Sequence, residues 1–436
     1  MKKSIYIFGL FFVMLFATSC LDNGGTTSTL ISDEAKITNF YLYSDSIEDI
    51  EDYVFTIDND SMLIYNYDSI DYGTRIDSLS FVINPRFSSV YINDTLDYYN
   101  LTEVYLDFTN GVKFTVVASD KKTSADYFVN VNVHQVDPDT FIWQGVKSEV
   151  FAGEALSAKA FYLGEKIIYM AVVGDKLMVN ESVNGVDWSV VEVVGLDVDL
   201  SKLDLNYLVV AEDYLALCVD KKLYKSVDGG VWVVAETSGA EIEHLLFAMD
   251  NWVYGVTVSG NIARLNASEW DDLGVLPSKF PVKGGAVLVA DAPSRKSRVF
   301  VVGGIDKDGN YLSSVWSSDN GEYWSEMTGG KDQFTPRAYA AVAQYGGGLM
   351  LFGGVAEGGD KIVTDAQLFS KDFGLNWGEP KEKSKIGDLY LPRYEHSAVV
   401  TPAGYIYLIG GRTSAEGTVN DVWQGLNYAS LPGFRK

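Results

Sequence analysis

Cysteine is nearly absent. Cys20 and Cys218 are the two in 436 residues, which excludes a disulfide framework of the kind that holds small secreted domains together. A chain this long can bury a core large enough to do without one. Cys218 lies in the apolar run YLALCVDKK and reads as a small buried hydrophobe. Histidine is as scarce, with His134, His244 and His396 scattered along the chain. H-E-x-x-H, G-x-S-x-G and phosphate loops are missing, so zinc-hydrolase, serine-hydrolase and P-loop chemistry have no motif to stand on. No metal and no cofactor is expected. Basic residues are in deficit: Lys and Arg number 34 against 59 Asp and Glu, a net charge of −25. Neutralising a phosphate backbone takes clustered Lys and Arg, so no nucleic acid partner is expected. A spanning apolar run is lacking as well. Ile5–Ala17, interrupted only by Gly9, falls short of the roughly 20 residues a transmembrane helix needs.

What that run does fit is a secretory signal peptide, with Lys2 and Lys3 as its positive start. Ala17-Thr18-Ser19-Cys20 resembles the lipobox of bacterial lipoproteins. The resemblance implies a signal peptide over 1–19, cleavage before Cys20, lipidation of Cys20 and membrane attachment through the lipid anchor. Residues 20–32 are small and polar and read as a flexible tether from the lipidated Cys20. Asp22 resembles the acidic surface-export signals of Bacteroides-type bacteria. The expected location is the cell envelope, as an outer-membrane lipoprotein facing the periplasm or exposed at the surface.

Charge divides the rest. Between Asp33 and Asp137 there are 19 acidic and 6 basic residues, more than half of the chain's negative excess in about a quarter of its length. This points to two domains. Residues 33–136 read as short runs alternating at period two: KITNFYLY, YVFTID, SMLIYNY, LSFVIN, SSVYIN, EVYLDF, VKFTVVAS and DYFVNVNVH. Turn formers separate them, which predicts a β-sandwich. The end of this segment, TVVASDKKTSADYFVNVNV, resembles the final hairpin of bacterial Ig-like domains. The acidic stretch Asp45–Asp52 and the Asp58-Asn59-Asp60 turn carry calcium-type oxygens but lack EF-hand spacing, and read as solvated loops.

Residues 137–436 repeat. RVFVVGG, GLMLFGG and YIYLIGG end at Gly304, Gly354 and Gly411. Pro336-Arg337 and Pro392-Arg393 precede two of these strands. Trp316 and Trp423 each fall 12 residues beyond a glycine pair. The pattern resembles the kelch repeat, which implies one four-stranded propeller blade per copy. A second signature overlaps it. Ser317-x-Asp319-x-Gly321-x-x-Trp324 and Ser370-x-Asp372-x-Gly374-x-x-Trp377 resemble the Asp-box hairpin, with shortened copies at SVNGVDW and SVDGGVW and a decayed one at RLNASEW. The tryptophans at 188, 232, 270, 324 and 377 are 44, 38, 54 and 53 residues apart, which is blade-sized. The last kelch copy makes a sixth blade without an outer strand. Phe141-Ile142-Trp143-Gln144-Gly145, 45 residues before Trp188, is spaced to supply it. The fold class expected is therefore all-β: an N-terminal Ig-like β-sandwich followed by a six-bladed β-propeller of kelch/Asp-box type, closed by strands from both ends. The whole arrangement resembles a lipoprotein family of gut Bacteroidales with this domain order.

Asp-boxes lie at the outer edge of propellers and imply no sialidase site. Sialidases of similar fold need an arginine triad, a Tyr nucleophile and a Glu, and no arginine motif appears ahead of the boxes. Galactose oxidase, another kelch propeller, needs a Tyr–Cys cross-link and two His ligands that this chain does not supply. No catalytic residue is assigned. Kelch resemblance implies docking on the loops before the first strand and between the second and third. It selects Arg337, Tyr339, Arg393, Tyr394, His396 and Arg412, with Asp306, Glu357 and Asp360 in the equivalent loops. Converging arginines suit a carboxylate or sulfate, and Tyr rings suit sugars. The alternative is that the Pro-Arg arginines brace neighbouring loops through backbone carbonyls. The functional expectation is a monomeric, non-catalytic binding module for a glycan or protein partner. Its alternative is a glycan-active hydrolase that uses paired carboxylates in a central pocket.

Overall fold

The computed structural model describes residues 31–85, 88–100, 104–135, 137, 140–291, 297–329, 333–357, 367–415 and 417–427. Cys20, the expected signal peptide, nearly all of the tether and Asp360 lie outside the described residues. Strands dominate, with a few single 3-10 turns between them. Two compact units form: residues up to Ile70 with Thr74–Asn132, and Asp71–Gly73 with Val133–Lys436.

In the first unit, Val112–Ala118 shows how sequence becomes strand. Val112, Phe114, Val116 and Ala118 are buried and the residues between them are not, the period of two that a pleated strand imposes. This strand pairs antiparallel with Ser88–Ile92 and Ser124–Asn130 inside a six-stranded sheet. Leu63–Asn66 joins the same sheet parallel to Ser124–Asn130. Ile37–Tyr43 and Ser80–Pro85 make a separate two-stranded sheet. The two sheets pack through rings: Phe40 meets Phe55 at 5.0 Å and Phe81 meets Phe114 at 5.1 Å, both edge to face. One expected strand does not form among the described residues. EVYLDF contributes a single bridge, Leu79 to Leu106, and then buries Phe108 in the core instead of pairing further. In the acidic stretch Ile50 is buried while Asp45, Glu48, Asp49, Glu51 and Asp52 are exposed. The Asp58 carboxylate accepts from the backbone of Asp60 and Ser61, closing a turn.

The second unit holds six sheets among the described residues, taken in chain order. The first, second and fourth are four-stranded, beginning at Ala155–Leu163, Val209–Val210 and Ala286–Asp291. The third runs from Ile242–Met249 to Glu269–Val275, with Ser238–Gly239 added in parallel. The fifth begins at Ala341–Tyr345 and the sixth at Ser397–Val400. Within each, successive strands pair antiparallel. The opening strands, with the short turn at Leu205–Tyr207, touch one another in a cycle that returns from the sixth sheet to the first. There the backbone amide of Ala160 donates to Ser397 Oγ at 2.8 Å. Apolar clusters fill the space between neighbouring sheets: Ile168, Met170 and Val172 of the first meet Leu215, Leu217 and Trp232 of the second.

Phe141–Lys147 pairs antiparallel with Gly417–Asn427 and becomes the outermost strand of the sixth sheet. Trp143 stacks on Phe141 at 5.2 Å, and its Nε1 donates to the Ser384 carbonyl. The interval read from the tryptophans therefore locates this strand correctly.

Candidate binding cavity

Three glycine pairs share one backbone geometry. Gly303, Gly353 and Gly410 have φ of 60°, 57° and 65°, and Gly304, Gly354 and Gly411 have 106°, 109° and 111°. These values belong to glycine. The space does too: a Cβ on Gly303 would stand 2.6 Å from the Arg337 carbonyl, and one on Gly353 2.0 Å from that of Arg393.

The arginines expected to face a ligand belong to this frame. Arg337 is fully buried; its Nε donates to the Thr335 carbonyl and its Nη1 to that of Gly353, both at 3.0 Å. Arg393 repeats the arrangement with Leu391 and Gly410, and adds an ion pair to Asp421 at 2.5 Å. Phe334 and Tyr390 cover the two guanidinium groups. Both guanidinium groups are held within the frame, and neither lines the central cavity described below. A guanidinium beside bare backbone carbonyls satisfies them better than it would serve an exposed face. Arg412 is likewise engaged, by the Glu395 carboxylate at 2.7 Å and the carbonyls of Ala155 and Leu156. Tyr394 pairs with Arg412 in the sheet and does not reach the cavity described below. Asp306 is buried; its carboxylate accepts from the Asp308 and Asn310 backbone and the Asn310 side chain, also as frame.

One hairpin turn differs from expectation by one residue. Between the third and fourth strands of the fourth sheet, the bonds come from Ser318 and Asn320, not Ser317 and Asp319. Ser318 Oγ accepts from Gly321 N, and Asn320 Oδ1 accepts from Glu322 N and Tyr323 N. Asp319 instead pairs with Arg298. Ser182 and Asn184 in the first sheet, and Ser226 and Asp228 in the second, form the same turn. Ser370 and Asp372 hold the version in the fifth sheet, one residue longer. The extra residue, Phe373, takes φ of 55°. Trp188, Trp232 and Trp324 each donate Nε1 to the turn glycine's carbonyl. These turns clamp sheet to sheet: Tyr407 Oη donates to the Asn184 carbonyl, and Tyr254 Oη to that of Asn320.

A cavity of about 160 Å³ opens where the six sheets meet, lined by residues at or near the start of five of them and by the turn Leu205–Tyr207 ahead of the second. At about 30 Å³ per liquid water, it holds a single-ring molecule. Tyr339 and His396 from the sequence-based set line it, and so do Lys159, Tyr207, His244, Lys283 and Glu395. Part of its rim is left-handed. Gly284, Tyr339 and Glu395 occupy equivalent places with φ of 62°, 55° and 54°. They are chained by hydrogen bonds: Tyr339 N donates to Gly284 O, and Glu395 N to Tyr339 O. Non-glycine residues in this region are strained, and such strain gathers at binding sites.

The groups facing the cavity are donor-rich. Lys159 Nζ donates to the carbonyls of Asn206 and Leu208 at 2.9 and 3.0 Å. Burial pushes its pKa down to about 8, with Asp204 pulling the other way, so it stays mostly charged at neutral pH. Tyr207 lies against His244 with ring centroids 4.3 Å apart and planes tilted by 39°. Burial, then Asp204 and Glu243, push the Tyr207 hydroxyl up to about 12. Burial and the nearby Tyr207 raise that of Tyr339 further, so both stay protonated. His396 is buried with neither ring nitrogen partnered, and His244 Nε2 is also without one. Burial and then the Arg393 charge lower the His396 pKa to about 3, leaving the imidazole neutral. Glu395 is the single carboxylate among the lining residues, and Arg412 holds it.

Reading the sequence missed Lys159, Tyr207 and His244, because they come from sheets whose repeats have decayed, and Lys283, because no Pro-Arg pair marks its loop. Lys159 had one signal, a lone charge inside the strand ALSAKAFYL. Cys218 proves only partly buried; its thiol, pushed up to about 11 by burial, packs between the second and third sheets.

Residues 137–434 match the model of the DUF6242 beta propeller domain. The chain belongs to the DUF6242 family. Residues 26–131 match that family's N-terminal domain, described as a domain of unknown function. The second unit is thus a β-propeller, and the fold is all-β. Among solved structures, one titled "Structure of YjhT" is similar at a TM-score of 0.47 and 13% identity, covering 64% of this chain and 96% of that one. No curated protein matches.

Proposed function

We propose that this chain is a cell-envelope lipoprotein, anchored through Cys20, that binds a small glycan in the central cavity of its propeller without chemistry. Each of the six sheets is taken as one blade of kelch/Asp-box type, and the first unit as an Ig-like stalk. The closed cycle of opening strands supports the blade count, and the lipobox residues support the anchor. One observation carries the functional reading. The cavity offers tyrosines, neutral imidazoles and lysines, yet its single lining carboxylate is held by Arg412. Glycoside hydrolysis ordinarily needs two carboxyl groups about 5–10 Å apart.

The reading is tested by screening the purified chain on a glycan array and assaying the bound glycans for cleavage. Binding without released reducing sugar is the expected result. Turnover would replace it with the hydrolase reading. Labelling with radioactive palmitate in the producing cells tests the anchor: label is expected on the native chain and absent from Cys20→Ala.

A further inference from the structure

We infer that the central cavity selects a sugar acid, a single-ring molecule bearing a carboxylate, over its neutral counterpart. The inference rests on the proposed glycan-binding reading and adds the charge of the ligand. Its basis is a count of what the lining leaves uncommitted. An ammonium has three donors and no acceptor. Lys159 uses two of its three on the Asn206 and Leu208 carbonyls, which leaves one. Lys283 is exposed at the rim, and none of the ion pairs among the described residues includes its ammonium. Tyr207 and Tyr339 each add a hydroxyl donor.

Negative charge is missing from the same lining. Glu395 is the only carboxylate there, and the Arg412 guanidinium cancels it at 2.7 Å. Asp204 stands behind Lys159 and is not among the lining residues; it accepts from Asn206 N in its own turn. The positive groups Lys159 and Lys283 thus line the cavity itself, in a protein of net charge −25, while Asp204 and Glu243 act on Tyr207 and His244 from outside the lining. Elsewhere the protein's field repels anions, so an anion bound here would be held by this local arrangement. His396 supplies the second, independent pointer. Its imidazole is 6% exposed, lines the cavity and has both nitrogens unpartnered. A buried polar group left this way is costly unless something completes it. Both imidazoles border the space a ligand ring would fill, while the ammonium groups take its carboxylate.

Glucose and glucuronate share a ring and differ at one carbon, so they isolate the charge. The protein has three histidines, which give three resolvable imidazole proton resonances. Titrating the full chain with glucuronate should shift the resonances of His244 and His396 and leave that of His134. Glucose should need at least tenfold higher concentration. Lys283→Gln, at an exposed position that does not threaten folding, should weaken glucuronate about tenfold and leave glucose unchanged. Equal affinity for the two sugars overturns the inference while the glycan-binding reading stands. Unchanged glucuronate affinity in Lys283→Gln also overturns it. If neither sugar moves the two resonances, the inference fails, and the array result decides whether glycan binding falls with it.

Discussion

The backbone amide of Gly354 donates to the carbonyl of Arg393 at 3.0 Å, while the Arg393 guanidinium reaches the carbonyl of Gly410 in its own sheet. Gly304 and Arg337 repeat the relationship one sheet earlier. Each Pro-Arg pair thus ties its own glycine turn to that of the preceding sheet.

Removing this tie should cost stability and leave binding intact. Arg393→Ala takes the guanidinium from the Gly410 carbonyl and from Asp421, which keeps the Trp423 indole donor, and should cost about 3 kcal/mol, the lower end for a buried ion pair broken from one side. Arg393→Lys should recover little, because an ammonium cannot serve Leu391, Gly410 and Asp421 with one planar fork. Denaturant melts read the loss. A folded Arg393→Ala chain with abolished glycan binding and unchanged stability would return the arginine to the ligand face.

The one-residue register of the hairpin turn is directly testable. Asn320→Ala removes an acceptor for two backbone amides and should destabilise by about 1 kcal/mol or more, the range of a lost cap. Asp319→Ala breaks a surface ion pair with Arg298 and leaves the turn's backbone acceptors in place, so it should cost less than Asn320→Ala. Equal losses would put the turn back on Asp319.

His396 predicts an acid dependence. Its folded pKa is lowered to about 3 from 6.5, so between those values the unfolded chain binds the proton first. The stability contribution is fully present above pH 6.5 and is lost as pH falls below it. Over the interval from 6.5 to 5 this amounts to about 2 kcal/mol, at 1.36 kcal/mol per pH unit. His396→Gln should therefore lose less stability than the native chain between pH 7 and pH 5. Parallel pH profiles would contradict the buried neutral imidazole.

Trp143 should hold the sixth sheet together. Trp143→Ala removes a partly buried ring stacked on Phe141 and packed against Phe352, a loss of about 2–3 kcal/mol, below the range of a fully buried aromatic. Hydrogen exchange should quicken first along Gly417–Asn427, its pairing partner. Uniform exchange over all sheets would mean the seam is not a separate weak point.

How much of this was legible follows from what each residue encodes locally. The glycine pairs were readable because their backbone admits little else. The Trp143 strand was readable because spacing is a property of the chain itself. Arg337 and Arg393 were visible as a motif, but their burial depends on Phe334 and Tyr390 and on the turns they brace, and none of that is local. In SSDNG two serines and an Asp-Asn pair stand side by side, so a template of residue types fits in either register; only the hydrogen bonds separate them. EVYLDF alternates like a strand, yet Phe108 finds a better place in the core than in a ladder. The cavity was least legible, since Lys159, Tyr207 and His244 sit far apart in sequence and their repeats no longer carry the marks that align the later ones.

The strand from Phe141 to Lys147 also sets an order of events. Asn420 accepts from the Val150 amide across 270 residues of chain, so the seam between first and last strands is a contact of very high order. Contacts of that kind slow folding. Until residue 417 has been made, Phe141–Lys147 has no partner strand and the sixth sheet cannot form. Assembly of the ring therefore waits for Gly417–Asn427, and a chain cut short anywhere before that segment carries a bare strand edge as its signature.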